Sequence, residues 1–416
     1  MKENYNISDF VNIKIGKNSK LYSVFKKPIP HIIAHTESVI HGWSGDAQKN
    51  GRRACTAQRF LLNPYRGCTH RCQYPCYTCA FSGFNPFYRL FWEKNIPTVV
   101  INFPEILIKE LDNPDLKFAA WGYLSPATDP FQKPLEPHYE LSYKIMKILI
   151  ERELGFVFIT KSVPGKKVIN LLQGYPYVFG QFTITSNDEE FRKIFEPGTV
   201  PYEDRFEAMK NIHDAGIPVI LRYDPVEPLF NDNEEIIKDV FSKAYNNGAR
   251  HVIFSISDKN SRYWDVFEDN LRKHQFGHFI NELKSIYTDK QGGELHADIK
   301  YREQIIEKAR AIANKIGLTF ALCMEFKKDQ KTKKYIDLNK MYKNSNNCEG
   351  IDTPLFKKTE DGKWKPIKAC DGNCLYGSCS ISCGIPELKL GKALKLNNWK
   401  KFSKKTSSNL RINDFA

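Results

Sequence analysis

From Leu61 onward, short apolar runs alternate with longer stretches in which apolar residues recur every three or four positions. Short runs suit buried strands and the longer spacing suits amphipathic helices, so the alternation predicts βα units around a parallel sheet. Strands are predicted at Arg59–Tyr65, Phe118–Leu124, Gly155–Thr160, Val178–Thr185, Pro218–Arg222 and His251–Ser255. Helices are predicted between them at Phe103–Leu111, His138–Glu153, Lys166–Leu172, Tyr202–Ala215 and Asn233–Asn247. Ile145, Ile148 and Leu149 show the helical spacing, and Ala215-Gly216-Ile217-Pro218 reads as a helix stop feeding the next strand. The fold class is α/β. Residues 1–58 read as a polar, irregular N-terminal extension that could cover the open side of the α/β region.

Composition changes this picture only slightly. With 416 residues the chain exceeds one ordinary domain, and 20 Tyr and 28 Phe supply an aromatic core. No apolar run reaches the ~18 residues of a membrane-spanning helix, and the start, Met-Lys-Glu-Asn-Tyr-Asn, lacks the apolar segment of a signal peptide. The protein therefore reads as cytoplasmic, with no membrane partner, where clustered cysteines more often bind metals than form disulfides. A net charge of +14 favours an anionic partner, nucleic acid first. Lysine-rich composition from an AT-rich genome is the competing reading, supported by abundant Asn, Lys and Ile.

Candidate chemistry is concentrated in Asn63-Pro-Tyr-Arg-Gly-Cys-Thr-His-Arg-Cys-Gln-Tyr-Pro-Cys-Tyr-Thr-Cys79, where four of the eleven cysteines fall within twelve residues. Zinc sites usually show two short Cys pairs separated by a longer stretch. Here Cys68, Cys72, Cys76 and Cys79 are separated by three, three and two residues, which suits an iron–sulfur cluster better. Cys55, without a close partner in sequence, reads as a lone thiol.

The stretch resembles the cluster loop of radical S-adenosylmethionine (SAM) enzymes, in the branch related to spore photoproduct lyase and the DNA repair photolyase-like proteins. That family carries Asn-Pro-Tyr-x-Gly-Cys-x3-Cys-x-Tyr-Cys-Tyr after its first strand. Here Pro75 displaces the third family cysteine by one residue to Cys76, while Cys72-x3-Cys76-x2-Cys79 offers a second register. Three of Cys68, Cys72, Cys76 and Cys79 would hold a 4Fe-4S cluster, with Cys68, Cys72 and Cys76 preferred. Further matches to the family follow the other predicted strands: Ser125-Pro-Ala-Thr-Asp129, Thr160-Lys161-Ser162, Gln181 to Thr185, Arg222-Tyr223-Asp224 and Glu196 to Arg205.

The resemblance implies a partial (β/α)6 TIM-type barrel over residues 59–318, with a cysteine-rich C-terminal extension. Barrel sites lie at the C-terminal ends of the strands. Thr128, Asp129, Lys161, Thr183 and Arg222 are accordingly the candidates for binding SAM: Lys161 for the methionine carboxylate, Asp129 and Thr128 for the amino or ribose groups, Thr183 for the ribose or sulfonium side, and Arg222 for cofactor or an anionic substrate. A lyase cysteine that donates hydrogen to the product radical would precede Thr128-Asp129. Ser125-Pro126-Ala127 occupies that place, so thymine-dimer reversal is not expected.

A second cysteine group lies in residues 319–388. Leu318–Met324 reads as a buried strand carrying Cys323, and Lys327–Lys343 as an exposed basic loop. Cys348, Cys370, Cys374, Cys379 and Cys383 follow. An auxiliary iron–sulfur cluster on Cys323, Cys348, Cys370 and Cys374 is preferred, and a structural zinc site on the same thiolates remains open. Residues 389–416 form a lysine-rich tail around Trp399 and Phe402, a pattern that can track a phosphate backbone or simply lie in solvent.

The sequence thus reads as a radical SAM enzyme that cleaves SAM reductively and abstracts a substrate hydrogen, with nucleic acid as the first substrate class. It would need a one-electron reductant such as flavodoxin or ferredoxin. Radical modification of a peptide or small molecule is one alternative; a zinc-bearing nucleic-acid-binding protein is another. Oligomeric state cannot be read from the sequence.

Overall fold

A computed structural model describes residues 9–40, 59–74, 76–116, 118–291 and 293–367. Cys55, Cys370, Cys374, Cys379, Cys383 and the basic tail lie outside the described residues.

Seven parallel strands make the central sheet: β1 Arg59–Leu62, β2 Trp121–Leu124, β3 Phe156–Thr160, β4 Val178–Thr183, β5 Val219–Val226, β6 His251–Ile256 and β7 Thr319–Leu322. They lie side by side in chain order, as expected where each strand is followed by a helical crossover. The crossovers include α1 Phe103–Leu111, α2 Leu141–Glu151, α3 Lys166–Leu172, α4 Tyr202–Asp214, α5 Glu234–Asn246 and α6 Ile299–Ile316. Both faces of such a sheet are covered, so its strands are apolar throughout: Phe156, Val157 and Phe158 are each fully buried. This is the α/β partial barrel expected from the sequence. The long last crossover helix α6 is capped at its start by Asp298, whose side chain accepts from the Lys300 amide, and at its end by Gly317 in the left-handed region (φ 97°).

Several boundaries differ from expectation, each for a local reason. The predicted strand Arg59–Tyr65 stops at Leu62, because Pro64 has no amide hydrogen to continue the ladder. Tyr65–Arg66 pairs instead with Thr98–Val100, in a second sheet that also contains Phe10–Ile15, Asn18–Phe25 and His31–Ala34. Part of the supposedly irregular N-terminal extension is thus ordered sheet. The predicted strand Phe118–Leu124 is split, with Phe118–Ala119 pairing with Phe356–Lys358. The predicted helix His138–Glu153 is two helices, Leu135–Tyr139 and α2, broken at Glu140 (φ 52°). Glu136 accepts from the amides of Ser142 and Tyr143, each at 3.0 Å, and so caps the second helix.

The sheet also crosses the boundary expected at residue 318. Thr319–Leu322 pairs with β6 as the seventh strand, so the segment carrying Cys323 belongs to the sheet itself. The predicted exposed loop Lys327–Lys343 contains a hairpin, Phe326–Lys328 with Tyr335–Asp337, followed by the helix Asn339–Tyr342.

Candidate metal centre at the barrel mouth

The cysteine loop leaves β1 and is clasped by the segment that leaves β2. Asn63 Oδ1 accepts from Ser125 Oγ and from the Ala127 amide, both at 2.8 Å. Tyr65 donates its hydroxyl to Glu136 at 2.5 Å, and the buried Gln132 accepts from the Thr69 amide at 3.0 Å. Burial raises the Glu136 carboxyl above its usual range, although Tyr65 and the two capped amides oppose it. Asn63, Tyr65 and the Thr69 amide on one segment, and Ser125, Gln132 and Glu136 on the other, thus fix one loop on the other. Backbone bonds from Arg71 to Cys68, from Cys76 to Cys72 and from Cys79 to Cys76 coil the loop on itself.

A third segment presses on the loop from the far side. Gly198 donates its amide to the His70 carbonyl at 3.0 Å, and Gln73 donates to the Phe195 carbonyl at 2.7 Å. A Cβ on Gly198 would lie 2.3 Å from the Thr69 carbonyl oxygen, so only glycine permits this approach. The adjoining Glu196 is fully buried and paired with Arg205, also fully buried, at 2.7 Å, and with Lys161. Tyr74 donates to Glu196 at 2.5 Å. Burial favours the protonated acid, but Lys161 and Arg205 outweigh it and hold the Glu196 carboxyl well below the usual range.

Within this frame Cys68, Cys72 and Cys76 lie in mutual electrostatic reach. Burial raises the Cys68 thiol well above normal, with Asp129 and the thiols of Cys72 and Cys76 adding to the effect. Burial pushes Cys72 to about 12 against the pull of Lys161. Metal binding would convert these protonated thiols to thiolates and release their protons. Cys79 is buried on the short helix Tyr77–Gly83; its thiol is pushed to about 12 by burial, then by Cys76 and the carboxylates of Asp258 and Glu294. Tyr88 adjoins both Cys68 and Cys76.

The structure places the other candidate residues as follows. Asp129 accepts twice from Thr160 Oγ1 at 3.0 Å, from the Lys161 amide at 2.7 Å and from the Phe131 amide at 2.8 Å. It ties the end of β2 to the end of β3, with His70 Nδ1 3.6 Å away. Thr128 bonds to Ser125 Oγ at 2.7 Å. Lys161 reaches Glu196 beside Cys72, its ammonium 5.2 Å from the centre of the Tyr74 ring. Thr183, at the end of β4, is buried, and its carbonyl accepts from Arg205 at 3.0 Å. Arg222 lies apart from the cysteine loop: it pairs with Asp224, donates to Gln181 at 3.2 Å and approaches Cys323 Sγ at 3.3 Å. Tyr123 also donates to Gln181, at 3.3 Å, and Gln181 donates to Glu349, whose carboxylate lies 3.7 Å from the Cys348 thiol. Cys323 and Cys348 therefore border one buried polar network.

Sequence reasoning assigned no role to Asn63, Tyr74, Gln132, Glu136, Glu196, Gly198 or Arg205. Most belong to the segments quoted above, but their partners lie up to 128 positions away (Gly198 to His70), and no local pattern pairs them.

Residues 62–244 match the sequence model of the Radical SAM superfamily. The chain is 24% identical over 411 residues to a radical SAM Nα-GlyT isomerase of Pseudomonas phage M6, covering 95% of this chain and 82% of that protein. It is 24% identical over 233 residues to an uncharacterized protein of Methanocaldococcus jannaschii, covering 54% of this chain and 84% of that one. Among solved structures, spore photoproduct lyase complexed with dinucleoside spore photoproduct superposes with a TM-score of 0.51 at 14% identity, over 70% of this chain and 80% of that one. The chain carries a radical SAM domain. Its barrel is of the spore photoproduct lyase kind, and the cofactors of that superfamily are a 4Fe-4S cluster and SAM. Among the described residues, no helix is long and apolar enough to cross a membrane.

Proposed function

We propose that the protein is a radical SAM isomerase acting on a substrate carried by nucleic acid. In this reading Cys68, Cys72 and Cys76 ligate the 4Fe-4S cluster, and Cys79 does not. The observation that carries it is the cysteine loop after β1, in which the Cys68 thiol interacts with those of Cys72 and Cys76 and which the segments after β2 and β4 hold in place. Cluster and SAM, when bound, would supply one-electron cleavage of a carbon–sulfur bond and hence hydrogen abstraction from the substrate.

The chain's own residues serve that chemistry by position. Asn63, Gln132 and Gly198 hold the loop in shape. Lys161 favours the thiolate of Cys72, and its partner Glu196 opposes that pull. Asp129 holds the ends of β2 and β3 together and acts on the cofactor through Lys161 and His70 rather than by direct contact. Thr128 and Thr183 line the same mouth. The buried surroundings exclude water from the reacting carbon.

The isomerase reading is supported by the near full-length similarity to the phage enzyme. The lack of cysteine in Ser125–Asp129 agrees, since an isomerisation needs no separate thiol donor in that loop. Net charge of +14 and the fold shared with a lyase that binds a dinucleoside support the substrate class. A reductant of the flavodoxin or ferredoxin type would supply the electron. An auxiliary cluster on Cys323, Cys348, Cys370 and Cys374 is the companion proposal, supported by the shared network of the first two.

The test is anaerobic reconstitution, with iron and sulfide counted, then incubation with SAM, dithionite and DNA bearing amino-acid-modified thymine. Digestion to nucleosides should reveal a product of unchanged mass and altered retention. Zinc in place of iron, with no SAM cleavage, would overturn the enzyme reading. SAM cleavage that only a peptide stimulates would overturn the substrate class.

A further inference from the structure

Beside the cysteine loop, but outside the centre just described, lies a second group of potential ligands. Asp258 follows β6, and Glu294 and His296 lie on the strand Glu294–His296. That strand pairs antiparallel with Lys259–Asn260, with Lys259 opposite Leu295 and Asn260 opposite Glu294. Side chains two apart on a strand share a face, so Glu294 and His296 project together. Continuing the register by one residue sets Asp258 opposite His296, a cross-strand neighbour on that face. One ligand atom from each of the three residues lies within 4.8 Å of the others.

His296 supplies the second observation. The residue is only 6% exposed, its Nε2 makes no hydrogen bond among the described residues, and the nearest Glu294 carboxylate oxygen is 3.8 Å away. A buried imidazole nitrogen is almost always satisfied, so one held just short of a carboxylate points to a ligand between them. The neighbouring cation is committed elsewhere: Lys259 projects to the opposite face, where it donates to Glu227 and to the Tyr74 carbonyl, each at 2.5 Å.

We propose that Asp258, Glu294 and His296 bind one divalent transition-metal ion, separate from the cluster. Two carboxylates and one imidazole form the oxygen–nitrogen set that suits Mn²⁺, Fe²⁺ or Zn²⁺, with water completing the shell. The ligand atoms need to close only slightly, since metal–ligand distances of about 2.1 Å place neighbouring ligands roughly 3 Å apart. The ion would pin the sheet containing Glu294–His296 to the end of β6. It would also add positive charge beside the helix that carries Cys79. Nothing in the radical chemistry requires it, so the cluster reading and this one stand or fall separately.

Mn²⁺ is the probe, because it prefers oxygen and nitrogen over the thiolates elsewhere in the chain. Reconstituted full-length protein is stripped of loose metal with EDTA and titrated with Mn²⁺, following the electron paramagnetic resonance signal of the free aquo ion. One bound Mn²⁺ per chain is expected. Asp258→Asn and Glu294→Gln should each weaken binding by about tenfold or more, with cluster iron and circular dichroism unchanged. Should either variant fail to fold, His296→Gln takes its place. Wild-type protein that leaves all Mn²⁺ free, or equal binding by wild type and folded variants, would overturn the proposal. Iron counted in the same samples reports on the cluster independently.

Discussion

Gly198 and His70 touch backbone to backbone: the glycine amide donates to the histidine carbonyl at 3.0 Å, with no room for a Cβ between them. This contact, 128 residues apart in the chain, shapes the loop that carries Cys68, Cys72 and Cys76. Gly198→Ala should push the loop outward and cut iron incorporation by about tenfold, since shifts of about 1 Å in such sites have large effects. Iron per chain after reconstitution is the measurement; wild-type loading would contradict the role given to this contact.

The four cysteines should separate into two groups. Replacing Cys68, Cys72 or Cys76 by alanine should abolish SAM cleavage and the cluster's visible absorption. Cys79→Ala should keep both on the proposed ligand set, in which the Cys68 thiol interacts with those of Cys72 and Cys76. Cluster loss in Cys79→Ala with retention in Cys68→Ala would shift the ligand set to the second register.

Glu196 is the anion on which two buried cations depend. Glu196→Gln leaves Lys161 and Arg205 without their counter-charge and should cost about 3–5 kcal/mol, seen as a lower denaturant midpoint. Adding Lys161→Met should recover part of that loss.

The same carboxylate sets a pH dependence. Its folded pKa is depressed by Lys161 and Arg205 against burial. The stability it contributes is therefore fully present above the ordinary glutamate value of about 4.3 and is lost as pH falls toward its lower folded value. Thermal unfolding between pH 6 and pH 3 should show a steep acid limb in the wild type and a shallower one in Glu196→Gln.

Asp129 distinguishes an anchor from a cofactor ligand. Asp129→Asn would set an NH2 group against the Thr160 or Lys161 donors and should lower stability by about 1–3 kcal/mol in the absence of SAM. Unchanged stability with weaker SAM binding would restore it as a direct ligand.

Much of the barrel was legible from the chain alone. The alternation of buried runs and helical spacing located Phe103–Leu111 and Lys166–Leu172 to the residue and placed six of the seven central strands. The cysteine spacing singled out the loop at 63–79. These are local signals: periodicity and ligand spacing are written in consecutive residues. What needed the tertiary structure is everything that depends on partners far apart in sequence. Leu318–Met324 was legible as a buried strand, but Thr319–Leu322 joins the main sheet only because β6 offers it an edge. Tyr65 leaves its expected strand because Thr98–Val100 pairs with it beyond Pro64. Asp129 and Lys161 read as ligands for a dipolar cofactor, and only packing reveals that Thr160 and Glu196 also engage them. Glu196, Gly198 and Arg205 formed a recognisable motif without a purpose until the fold brought them against Tyr74 and His70. Charge and hydrogen-bonding capacity are set by residue type, but which group satisfies them is decided by packing.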